Sequence, residues 1–255
     1  MDIKSTDNPQ SFNSGQTLRA RGFRLATPPL HFVCVDPSGD GDDNTACIMS
    51  AREEHQKGEP QDPDFSVEHM HRIKMALRIR QDQEFTDVLA QLYRLHRFLL
   101  QLRAKGLSAG HVFAIETNGV GYGYAKALRA KIPPSALSIF EYHTVGNMSD
   151  DTDVMYRYAM PRLAGLDNLR ILIETHHLKI DKNMPGAKEY EEEFRAFIWK
   201  SPNRPEALEG QHDDLVMATA GALWVATKIV PPILRQDASV RKRGIRYHNT
   251  SMRVQ

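Results

Sequence analysis

The segment from Glu84 to Lys105 constrains the fold most, because its pattern predicts a long helix with one apolar face. Its apolar residues recur at steps of three and four positions: Val88, Leu89, Leu92, Leu95, Leu99 and Leu102. Gly106 follows directly and predicts the end of the helix. A helix with a single apolar face has to bury that face against another layer of structure.

Three strand-like runs precede this helix and predict that the other layer is a β-sheet. The first is the apolar run 31–35, which ends at Asp36, and the second is Thr45–Ser50. Between them lies PSGDGDDN, which is dense in turn-forming residues and predicts a hairpin. A third strand is expected within Phe65–Lys74, after a polar loop at residues 53–64.

Strand-like and helical patterns alternate in the rest of the chain. The strand Val112–Ile115 ends at Glu116, and the predicted elements after it are a helix over Tyr122–Ala130, a strand over Leu137–Tyr142, a helix over 153–164, a strand over Leu169–Ile173, and helices over Lys188–Trp199 and Asp213–Ile229. A hairpin followed by alternating strands and helices predicts an α/β fold, a mixed β-sheet with helices on both faces. We expect a flexible lead over residues 1–28, one domain over 29–230, and a basic tail over 231–255.

Composition and motifs exclude several classes of protein. The hydrophobic content of 41% and charged content of 25% are those of a globular protein. No apolar run predicts a membrane helix, and the polar N-terminus has no signal-peptide core. No G-x-x-x-x-G-K-[ST] phosphate loop is present, so no P-loop ATPase is predicted. Cys34 and Cys47 lie in apolar runs and are expected to be buried thiols in a reducing compartment.

Acidic residues stand at three boundaries between predicted elements. Asp36 and Glu116 each end a strand, and Asp213 and Asp214 open the last helix. Ligands of open α/β sheets gather at such strand and helix ends, so these carboxylates are expected to converge. Each position alone has a structural explanation, since Asp36-Pro37 is a turn signal and acids favour a helix N-terminus. The combination favours a site.

A cluster of carboxylates without cysteine predicts a hard cation, so Mg²⁺ or Mn²⁺ rather than zinc. Carboxylates that lie close together repel one another unless a cation neutralises them. Two such ions activate water and stabilise a leaving oxygen in phosphodiester hydrolysis. The sequence therefore predicts a metal-dependent nuclease.

The motifs resemble those of the nuclease domain of tailed-phage terminase large subunits. The resemblance rests on Val35–Gly39 with Asp43–Ala46, on Ile115–Gly119, and on His212–Ala218, and it covers roughly residues 30 to 230. It implies an RNase H-like fold and a two-metal endonuclease that cuts double-stranded phage DNA with little sequence preference during packaging.

The resemblance also implies a role for each matching residue. Asp36 would bridge the two ions, Glu116 would bind one, and Asp214 or Asp213 would supply the third carboxylate. Asp43 would be an additional acid with a supporting role as a metal ligand. His212 would orient the attacking water or a phosphate, or else cap the helix. Asn118 and Gly119 match the segment that follows the second acid, where glycine permits a tight turn.

The resemblance further implies partners that the chain itself does not encode. These are a terminase ATPase domain, a small terminase subunit and a portal protein, acting in the host cytoplasm at the procapsid portal, with no membrane partner. Because no ATPase motif is present, we expect either a nuclease fragment or a split or degenerate gene, and the fragment is favoured.

The C-terminal tail carries most of the excess positive charge. Residues 228–255 contain seven Lys or Arg and one Asp, a formal charge of +6, and with +1 for the whole chain the rest carries −5. Arg241, Lys242 and Arg243 are the expected DNA-binding residues. A solvated tail without a partner is the alternative explanation.

Two other functions are compatible with the same residues. One is an RNase H-like junction resolvase or transposase-like nuclease, which would prefer branched DNA. The other is a catalytically silent module that binds DNA or the portal through the tail, although intact acids at all three motifs argue against it.

Overall fold

The computed structural model describes residues 18–19, 21–37, 45–79, 85–133, 138–145, 157–201, 204–209 and 212–230. Asp43 and the tail residues Arg241, Lys242 and Arg243 lie outside the described residues, so their roles stay predictions. Among the described residues, no helix is both long and apolar enough to span a membrane.

Among the described residues, a mixed sheet of eight strands forms the middle layer. Its order is β7-β6-β5-β2-β3-β4-β8, and β1 pairs with β3. The strands β2, β3 and β4 are antiparallel neighbours, whereas β5, β6 and β7 run parallel to β2. The strand bounds are β1 Arg24–Leu25, β2 Leu30–Asp36, β3 Thr45–Lys57, β4 Ser66–Ile79, β5 Gly110–Glu116, β6 Ser138–Val145, β7 Arg157–Pro161 and β8 Leu178–Ile180, with β9 Phe197–Ser201 and β10 Arg204–Ala207 forming a separate hairpin.

Helices cover both faces of this sheet, as predicted. Their bounds are α1 Phe85–Ala104, α2 Gly121–Lys131, α3 Arg162–Glu174, α4 Ala187–Ala196 and α5 Asp214–Trp224, which continues as a π-helical turn over Val225–Ile229. Helices α1 and α2 pack with Val33 and Val35 on one face, and α3, α4 and α5 pack with Phe32 and Cys34 on the other. Successive residues of β2 therefore supply the two cores, as the period of two in a strand requires.

Several predicted elements agree with the structure and others do not. The long helix, the hairpin pairing and the strand ends at Asp36 and Glu116 are confirmed. The predicted helix 153–164 and strand Leu169–Ile173 are wrong, because residues 157–161 form β7 and the helix begins at Arg162. Proline has no N–H to donate and fits an edge strand such as β7, so Pro161 ends that strand instead of interrupting a helix.

The predicted helix Lys188–Trp199 is also too long, because the chain leaves the helix at Ala196 and enters β9. Nearer the N-terminus, part of the segment predicted as a lead, residues 1–28, lies among the described residues. Phe23 packs with Leu18 and Met70, and β1 pairs with β3. Cys34 and Cys47 are buried free thiols, as expected.

Buried histidines join the N-terminal ends of β2 and β5. His31 and His111 are register partners on the two strands, and His31 Nδ1 lies 2.8 Å from Ser108 Oγ. The ring nitrogens His96 Nδ1 and His111 Nε2 lie 2.8 Å apart, so one ring donates and the other accepts. Burial lowers the pKa of both His31 and His111 from 6.5 to about 4.

We expect this cluster to make the fold sensitive to acid. The folded-state pKa values lie below the unfolded value, so the cluster's contribution to stability is complete above about pH 6.5 and is lost as the pH falls toward 4. The free energy of unfolding should fall by on the order of 2 kcal/mol for each of the two histidines by pH 5, as measured by urea unfolding. His111→Gln should flatten this slope, whereas His176→Gln, at an exposed position, should leave it unchanged. Equal slopes in the two variants would contradict the assignment.

Candidate metal centre

The register of the sheet places Asp36 and Glu116 side by side. Their preceding residues, Val35 and Ile115, are partners on the parallel strands β2 and β5. Asp36 also pairs with Ala46 on β3, and Ala46 pairs with Arg78 on β4. Residues in register on neighbouring strands share one face of the sheet. The polar side chains of Glu116, Asp36 and Arg78 therefore form a row at the carboxyl ends of β5, β2 and β4.

Helix α5 brings two further carboxylates to this row. It packs across β2, β3, β4 and β5 and begins at Asp214, directly after Asp213. The helix lies close to the sheet because of Gly221, where a Cβ atom would come within 2.3 Å of Tyr142 Oη and 3.0 Å of Cys34 Sγ. The structure therefore places the acids of all three predicted motifs at the same end of the sheet.

Asp36 is the electrostatic centre of the group. Desolvation raises the pKa of its carboxyl well above the usual range, and the charge of Glu116 and a hydrogen bond with Glu116 raise it further. The charges of Asp214 and then Asp213 act in the same direction with smaller effects. Two carboxyl groups that share a hydrogen bond need a proton between them, so this pair is suited to accept a cation in its place.

The turn after Glu116 fixes the orientation of that carboxylate. Asn118 Nδ2 donates to Glu116 Oε1 at 3.0 Å and to the carbonyl oxygen of Thr144 at 3.2 Å. Gly119 has a φ of 70°, a left-handed conformation that glycine adopts without steric cost. Glu116 itself is buried, so this amide supplies hydrogen bonding that water would supply elsewhere.

Two arginines hold the aspartates at the start of α5. Arg78 Nη1 donates to Asp214 Oδ2 at 2.9 Å, and Arg162 Nη2 donates to Asp213 Oδ2. His212 Nδ1 lies 3.7 Å from Asp214 Oδ2, and its side chain is 44% exposed. His212 is thus beside the cluster, on the solvent side of Asp214.

Sequence reasoning missed two members of this network, Arg78 and Glu193. Arg78 lies beyond the predicted third strand, which was expected within Phe65–Lys74, whereas β4 continues to Ile79. Glu193 Oε2 accepts from Arg78 Nη2, although Glu193 comes from the middle of α4. The basic residue at 162 was visible in the sequence, but nothing there paired it with Asp213.

The donor set fits a hard divalent cation, although the ligands do not converge in this structure. Among the described residues, no three His, Cys, Asp or Glu side chains lie close enough to hold one ion. Asp36 and Glu116 are hydrogen-bonded to each other, while Asp213 and Asp214 are hydrogen-bonded to Arg162 and Arg78, respectively. All four are carboxylates, the ligand type that Mg²⁺ and Mn²⁺ prefer, and a cation would relieve the repulsion around Asp36.

Solved structures with the same architecture come from a viral terminase. The human cytomegalovirus terminase nuclease domain, Mn soaked and inhibitor bound, aligns with a TM-score of 0.53 at 14% identity, over 87% of this chain and 95% of that chain. The same domain in another structure aligns with a TM-score of 0.52 at 13% identity and the same coverage. The predicted RNase H-like fold is therefore confirmed.

A more distant match is T. thermophilus RuvC in complex with a Holliday junction substrate. Its TM-score is 0.31 at 14% identity, over 77% of this chain and 92% of that chain, which is too low to bear on the fold. No protein-family model matches the chain, and neither does a curated protein.

Proposed function

We propose that this chain is a metal-dependent endonuclease that hydrolyses phosphodiester bonds in double-stranded DNA with little sequence preference. The observation that carries the proposal is the carboxyl pair of Asp36 and Glu116, with Asp213 and Asp214 above it, at the strand ends of an RNase H-like sheet. The likeness in fold between this chain and a terminase nuclease domain supports phosphodiester hydrolysis as the reaction class.

Asp36, Glu116 and either Asp214 or Asp213 would hold two Mg²⁺ or Mn²⁺ ions. When bound, such ions supply an activated water and stabilise the leaving oxygen of the phosphodiester. Asn118 keeps the Glu116 carboxylate oriented through its bond to Oε1. Arg162 is positioned to meet a backbone phosphate, because its side chain is 37% exposed and lies at Asp213.

The biological setting that we propose is genome packaging by a tailed phage. There the chain would serve as the nuclease of a terminase, with the ATPase domain, small subunit and portal as partners, in the host cytoplasm at the procapsid portal. Arg241, Lys242 and Arg243 of the basic tail would contact the DNA backbone. This setting rests on the motif resemblance and on the likeness to a terminase nuclease domain.

Plasmid cleavage tests the proposed activity directly. Supercoiled plasmid should be nicked and then linearised by the purified chain with Mn²⁺ or Mg²⁺, and EDTA should stop the reaction. A four-way junction and a linear duplex of the same length should be cut at similar rates. Cleavage confined to the junction would favour a resolvase, and DNA binding without metal-stimulated cleavage would favour a silent module.

A further inference from the structure

Arg78 holds the carboxylate of Asp214 from within the sheet. It is the penultimate residue of β4 and stands in the same cross-strand row as Asp36, with the small Ala46 between them. Its Nη1 donates to Asp214 Oδ2 at 2.9 Å and its Nη2 to Glu193 Oε2, while its side chain is 17% exposed. An ion pair with so little exposure is held more firmly than a surface pair.

Glu193 anchors both this arginine and the start of helix α5. Its second oxygen, Oε1, accepts the backbone N–H of Val216 at 3.0 Å. Val216 is the third residue of α5, and its N–H is one of those that a helix leaves without an internal partner. Asp213 holds the capping position of α5 but makes no side-chain capping bond. Glu193 therefore performs the capping role from the neighbouring helix.

The two aspartates consequently have different surroundings. Asp214 is 18% exposed and is tied through Arg78 and Glu193 to β4 and α4. Asp213 is 28% exposed and pairs with Arg162, whose side chain is 37% exposed and pairs with no second acid among the described residues. The Asp214 carboxylate is thus held by an arginine that is itself anchored to a second acid, whereas the Asp213 carboxylate is held by a single, more exposed arginine.

We infer that Arg78 and Glu193 form a positioning pair that makes Asp214, rather than Asp213, the third carboxylate of the metal centre. The inference rests on the proposed function. Groups that hydrogen-bond a metal-binding carboxylate fix its orientation, and their loss costs about 10- to 100-fold in metal affinity or activity. Arg78 acts through Asp214 and makes no contact with substrate in this proposal.

The first experiment compares Asp213→Asn with Asp214→Asn in the full chain, since asparagine keeps the shape of either side chain. Mn²⁺ binding is measured by the loss of the free-ion electron paramagnetic resonance signal. We expect Asp214→Asn to weaken binding by about tenfold or more, and Asp213→Asn to weaken it much less, because that variant removes a nearby charge but no ligand. Equal weakening in both, or weakening only at Asp213, would overturn the inference.

The second experiment tests Arg78 itself. Arg78→Gln should slow plasmid cleavage at saturating Mn²⁺ by about 10- to 100-fold without raising the half-saturating Mn²⁺ concentration, because the variant removes a positive charge beside the site. Arg78→Lys should recover part of the rate, and Arg78→Gln should add little to Asp214→Asn, as expected for two residues that act as a unit.

Arg72→Gln is the matched control, because Arg72 is also on β4 and also bonds a glutamate, Glu53, but stands away from the carboxylates. It should cleave at the wild-type rate. If Arg78→Gln also cleaves at that rate, the positioning role is wrong while the proposed function stands. Glu193→Gln repeats the test if Arg78→Gln unfolds below assay temperature. A wild-type chain that neither binds Mn²⁺ nor cuts DNA would instead overturn the proposed function.

Discussion

Replacing Asp36 with asparagine is expected to abolish metal-dependent DNA cleavage while leaving the fold intact. Asp36 is the carboxylate that faces all the others, since Glu116, Asp214 and Asp213 each act on its pKa. Its loss would remove charge from the point where a cation is most needed. Ions in such centres supply several kcal/mol of transition-state stabilisation, so the rate should fall by about 10³-fold or more.

The same variant should unfold at an equal or higher temperature than the wild type. Asparagine removes one of two closely paired carboxyl groups and so relieves their repulsion. Asp167→Asn is the matched control, because Asp167 is a 46% exposed acid on α3 that pairs with Arg170. The control should keep full activity. Full activity in Asp36→Asn, measured on plasmid with Mn²⁺, would disprove the assignment of the centre.

Gly121→Ala is expected to disrupt both stability and the centre. A Cβ atom at this position would lie 1.7 Å from the backbone oxygen of Glu116 and 3.3 Å from Pro37 Cγ. Neither backbone nor ring yields by a side-chain rotation, so α2 must move away from the end of β5. Overpacking of this severity costs roughly 3 kcal/mol, and a shift of about 1 Å at Glu116 should slow cleavage about 10²-fold.

Gly123→Ala provides the comparison on the same helix. A Cβ atom there meets the Phe85 ring at ordinary distances, 3.6 Å from Cε2 and 3.9 Å from Cζ. Because alanine favours a helix over glycine by about 1 kcal/mol, this variant should be as stable as the wild type or more so. Thermal unfolding and plasmid cleavage are measured for both variants. If Gly121→Ala matches Gly123→Ala in both assays, the close approach of α2 to Glu116 does not fix the carboxylate.

The sequence was sufficient to predict the positions of the carboxylates because each one ends or begins an apolar run. The strands that end at Asp36 and Glu116 and the helix that starts at Asp214 follow from local patterns. Their placement at the same end of the sheet follows from a general rule about where ligands of such sheets gather. Neither step needs information about distant contacts.

The arginines could not be predicted in the same way, because their partners depend on register and on packing between helices. Arg78 reaches Asp214 only because β4 extends past its apolar part and pairs with β3 as far as Ile79. The predicted helix 153–164 was wrong for a related reason, since the place of Pro161 on an edge strand is set by the order of the sheet. A short apolar run such as 169–173 is compatible with either a strand or a helix. Tertiary packing therefore decides which of the two it forms.

The placement of α5 over the sheet has a consequence for the order in which the centre forms. Asp36 and Glu116 lie 80 positions apart, and Asp214 follows 98 positions later. Contacts between such distant residues form late, and synthesis proceeds from the N-terminus. The carboxyl pair of β2 and β5 can assemble on a nascent chain, but its third carboxylate arrives only when the last helix docks. A newly made chain would therefore lack the complete candidate centre until nearly all of the domain has folded.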